Sequence, residues 1–205
     1  MDYVKNYKFG SDISFVFKNK IVPLLKNKKV LDIGCAQGEY LSFCGKDSLG
    51  LDISPKNLKE AKKRGFRVKK FDLNRPKSLG EKFDVVLISH VLEHVDSPIN
   101  VLRFINKSLN KKGLIVVSVP NESSLIHLKY PYFTRNGNHL YSFSISNMTE
   151  LLLASGFTLK NTFFDYYTAL TKKLGIDYGL QLFDVLPIKV RIPFAWAYWF
   201  IAVKK

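Results

Sequence analysis

Cysteine is almost missing from this chain of 205 residues, in which Cys35 and Cys44 are the only two. Two thiols cannot build the disulfide framework that stabilises small secreted domains, and they form no paired zinc-binding set. Long apolar runs are missing as well. No stretch approaches the roughly 18 apolar residues that cross a bilayer. Met1-Asp2-Tyr3-Val4-Lys5 lacks the apolar core of a secretion signal. The expectation is a cytoplasmic protein. Acidic residues are few, 17 against 32 Lys and Arg, which leaves a net charge of +15. Such a charge attracts phosphates and anionic lipid. The cations, however, fall in short scattered clusters (Lys26-Asn27-Lys28-Lys29, Lys62-Lys63-Arg64, Lys69-Lys70, Lys111-Lys112, Lys204-Lys205). Those clusters sit where helix ends and loops are expected. A solvated Lys-rich surface is the first reading, and nucleic acid or a membrane surface as partner is the second.

Hydrophobic residues make up 46% of the chain, enough for a folded core. The length suits one domain, residues 1–205, without repeats or linkers. Strand and helix patterns alternate, as in a parallel α/β sheet. Ser11 to about Lys26 reads as a leading helix with Ile13, Val16, Phe17, Ile21 and Leu24 on its apolar face and Pro23 weakening its last turn. Strands are expected at Val30–Gly34, Leu49–Ile53, Phe66–Phe71, Phe83–Ile88 and Leu114–Val119. Gly38–Cys44 begins a crossover helix. Ser54 and Pro55 open a second helix that Gly65 ends, and Ser97-Pro98 opens a third to about Asn110. Ser144 caps a fourth, ended by Gly156. Phe157–Tyr167 and Tyr198–Lys204 complete the strands. Residues 122–143 and 168–190 break the pattern and are expected to be substrate-side insertions. The apolar run Ile192–Val203 reads as loop plus final strand, with an interfacial membrane contact as the alternative.

The stretch Val30-Leu31-Asp32-Ile33-Gly34-Cys35-Ala36-Gln37-Gly38-Glu39 reads as a buried strand, a turn of small residues and the start of a helix. Backbone N–H groups in such a turn can meet a ligand closely. A dinucleotide fingerprint would put glycine at the first, third and sixth places, which hold Gly34, Ala36 and Glu39. The Glu39 side chain does not suit the close packing needed there. An acidic-x-Gly-x-Gly-x-Gly spacing fits better, as Asp32, Gly34, Ala36 and Gly38. In an open parallel sheet, ligands bind beyond the carboxyl ends of the strands. Those ends carry Asp32 with the turn, Asp52-Ile53-Ser54, Asp72-Leu73-Asn74 and Ser89-His90. Asp52 lies close to the spacing, about 20 residues after the glycines, at which an acidic residue accepts from two ribose hydroxyls. Asp72 is placed to accept from a base amino group.

Taken in order, Val30–Leu41, Gly50–Ser54, Phe71–Leu73, Phe83–Pro98 and Gly113–Asn121 resemble the successive motifs of class I methyltransferases that use S-adenosylmethionine. Phe83–Val95, and His139–Ser144 with the helix after it, are similar to the small-molecule group that includes ubiquinone-biosynthesis O-methyltransferases. The resemblance implies a Rossmann-like α/β fold. Its seven-stranded sheet has the order 3-2-1-4-5-7-6 with the last strand antiparallel, and helices cover both faces. It implies S-adenosylmethionine as cofactor, held by Asp32, Gly34, Cys35, Ala36, Gly38, Asp52, Ile53, Asp72, Leu73 and Ser89. Ala36 stands where the family has its central glycine.

Several acceptors are disfavoured by the residues present. Base amino-group methylation goes with an Asn/Asp-Pro-Pro-aromatic run after the fourth strand, where Ser89-His90-Val91-Leu92 stands instead. Pyrimidine carbon methylation needs a cysteine nucleophile there. No metal-ligating set is legible. The expectation is transfer to an oxygen or nitrogen of a small-molecule acceptor. RNA or protein as acceptor is the alternative, as is a basic RNA- or membrane-binding module with a vestigial pocket. His90 and His139 are the candidate bases, with structural hydrogen bonding as their other reading. Glu93 and His94 read as a polar pair shaping the loop. Tyr130, Tyr132, Phe133 and Arg135 are expected in an acceptor-side wall, which an ordinary self-packed lid would equally explain.

Overall fold

The fold follows a computed structural model that describes residues 13–121, 123, 124, 139–166, 187 and 192–205. Tyr130, Tyr132, Phe133, Arg135, His127, the first residues of the chain and nearly all of 168–190 lie outside the described residues.

Alternating apolar residues on strands covered twice build the centre of the molecule. The strands are β1 (Val30–Ile33), β2 (Leu49–Asp52), β3 (Val68–Lys70), β4 (Phe83–Ser89), β5 (Leu109–Pro120), β6 (Phe157–Asp165) and β7 (Ala197–Lys204). They form one seven-stranded sheet of order β3-β2-β1-β4-β5-β7-β6. β7 runs antiparallel between β5 and β6, and the remaining pairs are parallel. This is the order that the family resemblance implies.

Successive residues of β4 go to opposite layers. Val85 and Leu87 pack with Val30, Val116, Trp199 and Ile201 against Phe17, Ile21 and Leu25 of the leading helix. Val86 and Ile88 pack with Leu31, Ile33, Ile115 and Val117 against the other layer. That layer presents Val101, Leu102 and Ile105 of α3 (Pro98–Ser108), and Met148 and Leu152 of α4 (Ile145–Ala154). Helices therefore cover both faces. No described helix is long and apolar enough to cross a membrane.

The leading helix contains a wide π turn, Phe17–Ile21, before α1 (Val22–Leu25), and Val22 N–H donates to the Phe17 carbonyl. Pro23 has no N–H and its ring crowds the carbonyl four residues back, so the turn widens there. The extra residue shifts the phase of the helix. Leu25, not the expected Leu24, becomes fully buried.

The crossover helix expected from Gly38 is only a 3-10 turn, Tyr40–Phe43. A 3-10 turn rises about 2.0 Å per residue against 1.5 Å for an α-helix, so a short connection reaches back to the start of β2. Gly45 then runs against Lys28, its N–H donating to that carbonyl at 2.9 Å. β3 is shorter than expected, because Phe66 turns away to pack beside Leu58 and Cys35. β5 begins earlier than expected, with Leu109 opposite Phe83. The apolar run Ile192–Val203 is a 3-10 turn, Ile192–Phe194, leading into β7, the expected loop plus final strand: Tyr198, Trp199 and Phe200 are buried, and Phe194 is left 45% exposed.

α2 (Pro55–Lys63) and α4 begin as their sequences direct. Ser54 accepts from Asn57 N–H, and Pro55 occupies the first helical position. At α4, Ser144 and Asn147 form a reciprocal capping box. Ser144→Ala removes that cap, at an expected cost of about 1 kcal/mol. For a domain of this size the melting temperature should fall by about 2–4 °C in a thermal unfolding scan.

Candidate functional site

The carboxyl ends of β1, β2, β3 and β4 meet on one rim of the sheet, and the polar residues cluster there. The turn after β1 has three positive φ angles, 75° at Gly34, 44° at Ala36 and 86° at Gly38. Two of them need glycine for space as well as for backbone angle. A Cβ on Gly34 would stand 2.3 Å from Val91, and one on Gly38 would stand 2.4 Å from the Phe66 ring.

Neighbouring strands fix the turn. Gly34 and Cys35 N–H both donate to the Leu51 carbonyl, at 2.7 and 2.9 Å. Ala36 N–H donates to Asp52 Oδ2 at 2.9 Å, while Asp52 Oδ1 accepts from Ser54 N–H at 2.8 Å. Ala36 thus carries a side chain in a left-handed conformation that costs about 1–2 kcal/mol, and the bond to Asp52 offsets that cost. Cys35 is buried, with Sγ packed towards Gly50, and burial pushes its thiol pKa up. Its backbone lies in the turn, and its side chain belongs to the core beneath.

Asp32 is 1% exposed, and its Oδ2 has no hydrogen-bond partner among the described residues. Burial first, then the Asp52 charge, pushes its carboxyl up to about 7. Ile53 projects beside Asp52 and is 63% exposed. Asp72 is exposed at the end of β3, accepting from Asn74 N–H at 2.9 Å. Leu73 packs on the main core. Asn74 Oδ1 accepts from Asp96 N–H, which ties the β3 end to the loop after β4. Ser89 hydrogen-bonds Tyr40, whose ring stacks on Phe17 at 4.2 Å and whose phenol pKa burial raises.

The loop after β4 opens on His90, with φ at 53° and its N–H donating to the Ser118 carbonyl. His90 Nδ1 lies 3.5 Å from Glu93 Oε1. Glu93 itself is 0% exposed, and neither of its carboxylate oxygens accepts a hydrogen bond among the described residues. Its carbonyl accepts from Leu140 and Tyr141 N–H, at 2.7 and 3.3 Å, which draws His139 to the same place. The His94 and His139 rings meet edge to face at 4.7 Å.

Glu93, His94 and His139 each offer a ligand atom, all within 4.8 Å of one another. Two imidazoles and a carboxylate are a donor set that can hold a divalent transition ion. The sequence pattern gave no sign of this set, because His139 reaches Glu93 only through tertiary backbone bonds. A charged residue between the buried Leu92 and Val95 was the one available signal that Glu93 turns inward. Of the residues expected in the site, the fold unites Asp32, Gly34, Ala36, Gly38, Asp52 and Ile53 at one turn. It brings His90 and His139 to Glu93, and leaves Asp72 at the outer edge.

Residues 6–161 match the family of methyltransferase domains. The ubiquinone biosynthesis O-methyltransferase of Azorhizobium caulinodans is 35% identical over 108 residues, covering 48% of this chain and 43% of that protein. The enzyme of the same name from Psychrobacter arcticus is 29% identical over 170 residues, covering 73% and 66%. In the first of these alignments the chain spans under half of its relative's length. A methyltransferase dependent on S-adenosylmethionine from Archaeoglobus fulgidus has a similar structure, with a TM-score of 0.65, 25% identity and 90% coverage of both chains. One from Mesorhizobium loti shares the fold at a TM-score of 0.67 and 16% identity, covering 89% and 93%. The sequence match over most of the chain and the sheet order lead to one assignment: the chain belongs to the methyltransferase domain family, whose methyl donor is S-adenosylmethionine.

Proposed function

We propose that the chain moves the methyl group of S-adenosylmethionine to an oxygen or nitrogen of a small-molecule acceptor. The observation that carries the acceptor reading is the gathering of His90, His94 and His139 around Glu93, beside the end of β4. The names of the relatives agree with it. The two free cysteines suit a reducing compartment.

The rim residues fit the cofactor. Asp32 offers a buried carboxylate oxygen without a partner among the described residues, which suits a cationic group. Asp52 accepts one backbone bond at each oxygen and keeps one lone-pair site on each for two hydroxyls. Ile53 offers an exposed apolar surface beside it, and Asp72 with Leu73 lies at the outer end for the base. The turn from Gly34 through Cys35 and Ala36 to Gly38, with Ser89 opposite, holds the amino acid end. When bound, the cofactor supplies an activated methyl group and a neutral thioether leaving group. The chain's task is to hold the acceptor atom in line with that methyl and to exclude water, worth roughly 7–11 kcal/mol of the barrier. His90 or His139 takes the acceptor proton as the new bond forms.

Two measurements test this reading at the rim. Asp32 is protonated below pH 7 in the free protein, and a cationic ligand favours its charged form. Cofactor affinity should therefore rise with pH towards about 7 and level off above it. Asp32→Asn should flatten that profile in calorimetry. The same raised carboxyl stabilises the free protein at low pH, and this contribution is lost as pH rises through about 7.

Labelled methyl transfer into cell extract identifies the acceptor class. Label that survives nuclease and protease treatment and passes a small-molecule filter supports the proposal. Label lost with RNA or protein would replace it by the macromolecular reading that the basic surface suggests. His90→Ala and His139→Ala should leave cofactor affinity near wild type. At least one should lower turnover by about 10²-fold or more, and unchanged turnover in both removes the general-base role.

A further inference from the structure

The turn that holds the cofactor is gripped from outside by a residue that no sequence motif points to. Arg64 caps the C-terminal end of α2, and Gly65, at φ 83°, reverses the chain. Arg64 N–H donates back to the Glu60 and Ala61 carbonyls, Gly65 N–H to Lys62 and Phe66 N–H to Ala61. This closure fixes the Arg64 backbone without using its side chain. The guanidinium then crosses to the glycine turn. Nη2 donates to Gln37 Oε1 at 3.0 Å, and Nη1 to the Gln37 carbonyl at 3.4 Å. Gln37 is 8% exposed and Arg64 reaches it from the exposed surface, so both bonds are half-buried. Two residues on, the Phe66 ring covers Gly38 so closely that no Cβ fits there.

From inside, the sheet holds Gly34, Cys35 and Ala36 through Leu51 and Asp52. Gln37 is the first residue beyond that hold, between the positive φ angles of Ala36 and Gly38. A turn with three left-handed residues relaxes readily unless neighbours over-determine it. We propose that Arg64 is a positioning residue for the cofactor turn. Its fork on Gln37 holds residues 36–38 in the binding conformation before the cofactor arrives, which removes an ordering cost from binding. A planar fork with fixed donors can hold both oxygens of Gln37, whereas a lysine ammonium lacks that geometry. The proposal rests on the cofactor reading given above.

The test uses the whole chain and S-adenosylhomocysteine, which lacks the sulfonium charge, so the field of Arg64 does not mask its geometry. Arg64→Ala should raise the calorimetric Kd about tenfold, the size expected for losing a charge-assisted bond. Arg64→Lys should restore only part of it. Gln37→Ala should weaken binding as well, and the double variant should be no weaker than about twice the worse single variant, because both remove one interaction. Without any ligand, hydrogen exchange at residues 36–40 should quicken about tenfold in both single variants, and the melting temperature should fall by no more than about 3–6 °C, so that the chain stays folded.

A wild-type Kd in Arg64→Ala, full rescue by Lys, additive single effects or unchanged exchange would each overturn the proposal. A wild-type chain that binds neither S-adenosylmethionine nor S-adenosylhomocysteine would overturn the cofactor reading and this one with it. A wild type that binds and an Arg64→Ala variant that binds equally overturn this one alone.

Discussion

Strand β4 has no face left for water, and the layout of the molecule follows from that. Its residues Val85 to Ile88 are essentially unexposed, alternating between the two layers of helix. β1 and β5 flank it on both sides, so its backbone groups are satisfied within the sheet. A strand enclosed in this way tolerates polar side chains only where it ends. Asp84 stands at its start, accepting from Lys29 N–H. Ser89 and His90 stand at its other end. Chemistry is confined to the rim because the interior cannot hold it.

At that rim, opposing demands are met by shared groups. The turn after β1 needs left-handed backbone, and one of its positions is not glycine. Asp52 holds that residue, Ala36, through its amide and accepts from Ser54 N–H with its other oxygen. Burial first, and then this same carboxylate, raises the Asp32 carboxyl to about 7. A single acidic side chain therefore shapes the turn and tunes the group beneath it. Glu93 poses a related problem on the other side of the rim. It is a fully buried carboxylate facing three imidazoles, and its own carbonyl anchors the chain that brings the third.

The periodic parts of this architecture were legible in the sequence. Doubly apolar β4, the Ser54-Pro55 and Ser144 caps, and the glycine spacing after β1 all carry local signals, and the strand order came with the resemblance they supported. The departures came from contacts between residues distant in sequence, or from crowding that a helical period does not encode. Pro23 widened a turn and moved Leu25 into the core in place of Leu24. The connection after Gly38 was too short to spend on a full helix. Glu93 was read only as half of a polar pair shaping the loop, because a glutamate is rarely fully buried and its place in the core is set by tertiary packing. Arg64 showed nothing beyond a helix-ending cation, since its hold on Gln37 exists only in three dimensions.

Cys35 sits in the middle of the turn after β1, yet burial raises its thiol pKa far from the range where thiolate forms. Oxidants and alkylating agents act on thiolate that they can reach. In the closed fold the turn is therefore chemically quiet, although a sulfur atom lies within it. Reagent reaches Cys35 when the cover of Leu41, Leu58 and Phe66 over it opens, so its labelling rate is a clock for that opening. The molecule carries an internal gauge of how often the packing beneath this turn comes apart, and that gauge needs no added probe.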